Sequence, residues 1–175
     1  MSRPNREAEW SALGLQQVET RSHSRSRPRN DRVEAEMRVY IWCDGAAMPN
    51  GGPAGAGYVV VGGVHLLGSE ALGDATNNVA EYTAVRNALR AAADAGAKSA
   101  HVRMDSPVVF GHLSGASRAR AEHLIQLKEE VEAQVARYPG RVTFARIPRE
   151  RNGVADELAK DGARASKALS ADRRR

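Results

Sequence analysis

The segment MRVYIWCD, residues 37–44, is a nearly continuous apolar run that ends in an acid. Such runs are typical of a strand buried on both faces of a sheet. The following PNGGPAGAG, residues 49–57, has the composition of a turn. YVVVGGVHLLGSEAL, residues 58–72, then predicts two strands joined by a hairpin at Gly62 and Gly63. The first three strands are therefore expected to form an antiparallel meander.

Helices and strands alternate after the meander. TNNVAEYTAV, residues 76–85, predicts the start of a helix over 77–95, with Thr76 as its cap and Gly96 as its stop. The remaining pattern predicts a strand, two helices, a strand and a last helix, at 99–105, 107–113, 118–138, 141–147 and 154–166. This order predicts one α/β domain over residues 37–166, in which helices flank a five-stranded mixed sheet.

The two ends of the chain carry most of the excess positive charge. Residues 1–36 are polar and Ser/Arg-rich, and we expect a basic, disordered tail there, with a short helix around 7–18 as an alternative. Residues 167–175 predict a second basic tail. The net charges are +1 for 1–36, +3 for 167–175 and +1 for the body between them. Basic ends favour a polyanionic partner such as nucleic acid, although solvated tails often look the same.

Cysteine content and hydropathy indicate the compartment. Cys43 is the single cysteine, which excludes an internal disulfide framework and suits a reducing environment. No apolar run has the length of a membrane span. We therefore expect a cytoplasmic protein without a membrane partner, and a monomer.

Four acids stand at the boundaries of predicted elements: Asp44, Glu81, Asp105 and Asp156. Glu81 is unusual because it lies on the apolar stripe of its helix, where a core residue is expected. If the first and fourth strands are neighbours, all four carboxylates can converge at one end of the sheet. Each acid alone could be solvated or could complement a helix dipole. Together they favour a site for hard cations such as Mg²⁺, which prefer oxygen ligands.

The ordered set of motifs resembles the type 1 ribonuclease H family over about residues 37–166. The matching pieces are DGAAMPNGGPAGAGYVVV, TNNVAEYTAV, MDSPVV and IPRERNGVADELA. The resemblance implies a ribonuclease H-like fold. It also implies that the four acids bind two divalent cations, Mg²⁺ or alternatively Mn²⁺, and hydrolyse the RNA strand of an RNA–DNA hybrid. The products would carry 5′-phosphate and 3′-hydroxyl ends.

The same resemblance implies substrate contacts. Asn77 and Asn78 would lie against the minor groove of the hybrid, and Thr76 and Asn152 would contact phosphates. Helix capping is an alternative role for Thr76 and Asn152. The backbone from Gly45 to Asn50 would lie near the RNA strand.

The chain departs from the family at two places. Many members carry a histidine in the loop before the last acid, whereas this chain has PRERNG there. Arg146, Arg149 or Glu150 could take over its role in turnover. The Trp-rich basic handle of some relatives is also missing. Three alternatives stay open: another nuclease on the same fold, a non-cleaving module that binds RNA or hybrid, and a cation-binding regulatory domain.

Overall fold

The computed structural model describes residues 37–172. Five strands and four helices form the domain, with one short 3₁₀ turn at Arg149–Arg151. In chain order they are β1 (Arg38–Ala47), β2 (Pro53–Gly62), β3 (Leu66–Asp74), α1 (Asn77–Asp94), β4 (Ser99–Met104), α2 (Pro107–Ser114), α3 (Glu122–Val135), β5 (Val142–Arg146) and α4 (Gly153–Asp172). The predicted order of elements is confirmed.

The sheet has the strand order β3-β2-β1-β4-β5. β1 pairs with β2, and β2 with β3, in the antiparallel sense. β4 lies parallel to β1 on the other side, and β5 lies parallel to β4. The five-stranded mixed sheet with a leading antiparallel meander is therefore as predicted. Because β1 and β4 are parallel neighbours, their carboxyl ends meet at one edge of the sheet.

Helices cover both faces of the sheet. Alternate residues of β1, among them Ile41 and Cys43, join a core with α1, α2 and α3. Trp42 faces the other way and packs in a second cluster with Ala155 of α4. α1 and α4 thus lie on opposite faces, and each begins close to the edge where β1 ends.

The predicted turn at 49–57 is too long. β2 already begins at Pro53, so residues 53–57 belong to the sheet. Gly55 and Gly57 are needed there because the backbone of α4 lies directly on them. A Cβ on Gly57 would overlap backbone atoms of Ala155 and Ala159, and one on Gly55 would overlap backbone atoms of Ala159 and Ala163. These glycines are therefore a contact surface for a helix, which explains why their composition resembles that of a turn.

Two helices differ in length from the prediction. α4 continues to Asp172, beyond the predicted end at Ser166, and so includes residues 167–172 of the predicted basic tail. The buried Ser166 holds this part of α4 to the sheet: its hydroxyl donates to Ala54 O at 2.6 Å and accepts from Gly73 N at 3.0 Å. α3 is shorter than predicted. Tyr138 lies past its end and donates a hydrogen bond to Leu89 O at 2.7 Å.

The predicted N-terminal tail, with its alternative short helix, lies outside the described residues. Within residues 37–172, none of the helices is both long enough and apolar enough to cross a membrane.

Candidate active site

Asp44 lies at the carboxyl end of β1, almost completely buried, with 2% of its surface exposed. Its Oδ1 accepts a hydrogen bond from Gly45 N at 2.9 Å. The residue that follows determines how close α1 can come. A Cβ on Gly45 would overlap backbone atoms of Ala80 and Glu81. The missing side chain of Gly45 therefore lets the first turns of α1 lie directly on β1, which brings Glu81 to Asp44.

The start of α1 is fixed from two sides. Thr76 caps the helix, because its Oγ1 accepts from Val79 N at 3.3 Å. Asn77 ties the helix to the end of β1 and to the loop after it. Its Oδ1 accepts from Ala47 N at 2.8 Å, and its own backbone N donates to Asn50 Oδ1 at 2.8 Å. These bonds hold Glu81 and the loop that follows β1 in one unit.

Asp105 directly follows β4, next to the end of β1. Asp44, Glu81 and Asp105 each offer a carboxylate oxygen, and these oxygens lie within 4.8 Å of one another. Three acids from two strand ends and one helix thus converge, as the parallel pairing of β1 and β4 requires. Such a donor set is compatible with a divalent cation.

Asn152 connects the acids to α4. It is 1% exposed, and its Nδ2 donates to Cys43 O at 3.0 Å and to Asp105 Oδ1 at 2.9 Å. The backbone carbonyl of Asn152 accepts a hydrogen bond from Asp156 N at 3.0 Å, in the first turn of α4. The Oδ1 atom of Asn152 has no hydrogen-bond partner. The two hydrogens on Nδ2 of Asn152 thus hold the end of β1, through Cys43 O, and Asp105. A contact of this side chain with phosphate stays a prediction.

Asp156 differs from the other three acids because positively charged side chains form close ion pairs with both of its carboxylate oxygens. Arg149 Nη2 lies 2.8 Å from Asp156 Oδ1, and Lys160 Nζ lies 2.5 Å from Oδ2. Arg149 also reaches toward Asp105, with Nη1 3.8 Å from Oδ2. Asp156 is outside the close group of three acids, and its charge is already balanced by the protein.

The pKa values of Asp44, Glu81 and Asp156 reflect these different surroundings. Burial, then the charge of Asp105, raises the pKa of Asp44 to about 7. Burial, followed by the charges of Asp44 and Asp105, raises the pKa of Glu81 well above its usual range. For Asp156, partial burial acts upward, but hydrogen bonding and charge from Lys160, with the charge of Arg149, bring the pKa below its usual value. Ionisation is therefore disfavoured at Asp44 and Glu81 and favoured at Asp156.

An open cleft of about 470 Å³ lies over these acids. Of the predicted site residues, its wall contains Gly45, Glu81, Asp105, Asp156, Asn77, Asn78 and Arg149. Thr76, Asn50 and Asn152 support this wall through the hydrogen bonds described above. Arg146 and Glu150 are exposed and are not part of the wall. Of the three predicted loop residues, the structure thus brings only Arg149 to the acids.

Lys160 is a site residue that the sequence analysis missed. It lines the cleft and pairs with Asp156. The signal was present, because Lys160 follows Asp156 by four residues on one helix face, where opposite charges meet. A lysine at that spacing is common on solvated helix surfaces, so the pattern alone did not distinguish it.

Comparisons with known proteins identify the family. The family described as "Reverse transcriptase-like" matches residues 42–162. "Bifunctional protein Rv2228c" of Mycobacterium tuberculosis is 38% identical over 129 residues, which cover 71% of this chain and 35% of that protein. "Ribonuclease HI" of Halobacterium salinarum is 36% identical over 127 residues, which cover 71% of this chain and 63% of that protein. The chain thus spans about a third of the length of the mycobacterial relative.

Solved structures agree in fold. The N-terminal RNase H domain of the Mycobacterium tuberculosis protein superposes with a TM-score of 0.72 at 36% identity, covering 76% of this chain and 98% of that one. RNase H1 of Halobacterium salinarum gives a TM-score of 0.68 at 36% identity, covering 71% and 96%. LC11-RNase H1, solved in complex with an RNA/DNA hybrid, gives 0.68 at 33% identity, covering 75% and 99%. The chain belongs to the ribonuclease HI family, and the resemblance found in its sequence is confirmed.

Proposed function

We propose that this chain is an endoribonuclease that hydrolyses the RNA strand of RNA–DNA hybrids and leaves 5′-phosphate and 3′-hydroxyl ends. The observation that carries the proposal is the convergence of Asp44, Glu81 and Asp105 within 4.8 Å, at a cleft whose wall contains Glu81, Asp105 and Asp156. Buried acids repel one another and lose hydration, so such a cluster is costly unless a bound cation compensates for it.

The donor set fits hard divalent cations. All the donors are carboxylate oxygens, which Mg²⁺ and Mn²⁺ accept. Asp44, Glu81 and Asp105 would hold one ion, and Asp156 would complete a second position. Bound there, two such ions would supply an activated water and charge stabilisation at the leaving 3′ oxygen.

The protein's own groups position this chemistry. Gly45 N fixes Asp44 and Asn152 fixes Asp105, so two carboxylates are oriented before substrate binds. Such pre-organisation lowers the cost of reaching the transition state. Arg149, whose side chain is 68% exposed, extends a guanidinium into the same cleft, where it would meet a phosphate.

The substrate preference would come from the cleft wall. Asn77 and Asn78 line the wall next to the acids. Amide side chains at this place would contact the minor groove, where the 2′-hydroxyls of an RNA strand are displayed. One structural relative, LC11-RNase H1, was solved with an RNA/DNA hybrid, which supports this substrate class here.

The direct test is incubation of end-labelled RNA–DNA hybrid, duplex RNA and duplex DNA with the protein in Mg²⁺ or Mn²⁺. We expect the RNA strand of the hybrid to be cut internally, duplex RNA poorly and duplex DNA not at all. The product ends are identified by ligation, which requires a 5′-phosphate and a 3′-hydroxyl.

Asp44→Asn is the matched control for this experiment, because it removes a ligand charge and keeps the side-chain volume. Tight binding of hybrid without cleavage by the wild-type protein would support a non-cleaving module. Efficient cutting of duplex DNA would support a different nuclease on the same fold.

A further inference from the structure

The fourth acid is the one that the protein itself neutralises. Lys160 Nζ and Arg149 Nη2 hold the two oxygens of Asp156, at 2.5 and 2.8 Å. In the described part of the chain, neither Asp44 nor Glu81 forms an ion pair with a lysine or arginine. Asp44 and Glu81 thus have no ion-pair partner among the described residues, and Asp105 has one long contact with Arg149 Nη1, at 3.8 Å. Of the four acids, only Asp156 forms close ion pairs through both oxygens.

From this asymmetry we infer that the side chains of Lys160 and Arg149 keep Asp156 from binding a metal ion. These two side chains are together called the cation lock. The lock occupies the ligand oxygens of Asp156 in the protein without nucleic acid. Asp44, Glu81 and Asp105, which these two side chains do not hold closely, stay able to bind one divalent ion. Asp156 becomes available for a second ion only when the lock opens. The inference rests on the proposed function in one respect, that these four acids bind divalent ions.

The surroundings of Lys160 provide a way to open the lock. Its Nζ also lies 3.0 Å from Glu157 Oε1. Lys160 can therefore leave Asp156 and keep a carboxylate partner on the same helix, so its release does not leave an unpaired charge. Its side chain is 33% exposed and lines the cleft, so part of it is open to solvent.

Arg149 can also exchange Asp156 for another anionic partner. Its side chain is 68% exposed and its guanidinium faces the cleft. A guanidinium binds phosphate in a bidentate fashion and exchanges one anion for another readily at an exposed site. A phosphodiester in the cleft would therefore compete with Asp156 for Arg149, and arrival of an anionic backbone would open the lock.

Counting bound Mn²⁺ by electron paramagnetic resonance, with metal-free protein and no nucleic acid, tests the lock directly. At Mn²⁺ concentrations at which Lys160→Met binds two ions, wild type should bind only one. We expect the apparent Kd of the second ion to fall about tenfold in Lys160→Met and further in the Lys160→Met/Arg149→Met double variant. Lys160→Arg keeps the charge and should retain the wild-type pattern.

Lys167→Met is the matched control, because it removes the same charge from an exposed position of the same helix. Its Mn²⁺ count should equal that of wild type. Circular dichroism melting of each variant shows whether the fold is kept, and the exposure of Lys160 and Arg149 makes a large loss unexpected. A second readout is the Mg²⁺ concentration that gives half-maximal hybrid cleavage, which should be lower for Lys160→Met.

The lock is wrong if wild type without nucleic acid binds two Mn²⁺ of similar affinity, or if the double variant binds Mn²⁺ as wild type does. These results are independent of the proposed activity. A changed Mn²⁺ count without any hybrid cleavage would support the lock and contradict the proposed function. Cleavage with an unchanged Mn²⁺ count would do the reverse.

Discussion

Asp44 and Glu81 come from a strand end and a helix start, yet their carboxylate oxygens lie within 4.8 Å of each other. Both side chains are largely buried, and no lysine or arginine in the described part of the chain pairs with either. Burial raises both pKa values, that of Asp44 to about 7. Without metal, ionising this pair therefore opposes folding, and a bound cation would remove the cost.

The first prediction concerns stability of the metal-free protein against pH. The pKa of Asp44 is raised on folding from its ordinary value of 3.8 to about 7. The folded state therefore loses stability as pH rises through this window, and none of the loss is present below it. Asp44→Asn should be more stable than wild type at pH 8 in EDTA, by up to about 4 kcal/mol. At pH 4, near the lower end of this window, most of the difference should be gone.

Thermal melting at both pH values checks this prediction. Asp74→Asn, at the exposed end of β3, is the control and should show no such gap. An equal difference between Asp44→Asn and wild type at pH 4 and pH 8 would mean that packing, rather than ionisation, causes it.

Bound metal should restore the stability that the protein loses when Asp44 and Glu81 ionise. A ligand that binds only the folded state raises stability in proportion to the logarithm of its concentration. Titrating Mg²⁺ into wild type at pH 8 should therefore raise the melting temperature progressively. Asp44→Asn lacks the central ligand charge and should respond much less. Calorimetric scans across a Mg²⁺ series measure this, and identical slopes for both proteins would contradict a role for Asp44 in metal binding.

Gly45→Ala tests the close approach of α1 to β1. The added Cβ would overlap backbone atoms of Ala80 and Glu81, which cannot rotate away. We expect a loss of stability of about 1–3 kcal/mol or more, as for overpacked cores. Hybrid cleavage should also fall, because Glu81 moves from Asp44. Gly153→Ala is the control, since a Cβ there meets nothing within 4 Å. Retention of wild-type melting and activity by Gly45→Ala would show that α1 adjusts freely.

Much of the fold and of the acid cluster could be predicted from sequence because the signals are local. The apolar run of β1, the caps of α1 and the acids at element ends are each readable within a few residues. Glu81 was recognisable because an acid on an apolar stripe contradicts its own helix pattern. Convergence then required only that β1 and β4 be neighbours, which the structure confirms.

The features that sequence reasoning missed depend on contacts between distant residues. Gly55 and Gly57 have the composition of a turn, and only the helix about a hundred residues later shows that they are a packing surface. The use of both amide hydrogens of Asn152 depends on Cys43 O and on Asp105. Lys160 looked like one of several surface charges until Asp156 and Arg149 were placed beside it.

Asn152→Ala separates positioning from phosphate binding. The change removes the hydrogen bond that fixes Asp105 and leaves Cys43 O without its partner. If Asn152 acts by positioning, kcat should fall by about tenfold or more, which is 1.4 kcal/mol of barrier. KM for hybrid should change little. A rise in KM with kcat retained would instead indicate lost uniform binding of substrate, as expected of a phosphate contact.

The last prediction concerns residues 1–36, which lie outside the described residues. RSHSRSRPRNDR, residues 21–32, carries a net charge of +4, while the body is nearly neutral. We expect this segment to bind phosphates without sequence preference, adding equally to ground-state and transition-state binding. Deleting residues 1–36 should therefore raise KM for hybrid more than it lowers kcat.

Salt dependence gives the sharper measure of this role. Each neutralised phosphate contributes a slope of about −0.9 in log K against log salt on duplex DNA, so losing four contacts would flatten the slope by up to about 3–4 units. Replacing the five arginines of 21–32 by glutamine, with the chain length kept, is the matched control and should reproduce the deletion. If the deletion lowers the melting temperature while KM and the salt slope stay constant, the segment stabilises the domain instead, and the residues to test are then Trp10, Leu13 and Val18.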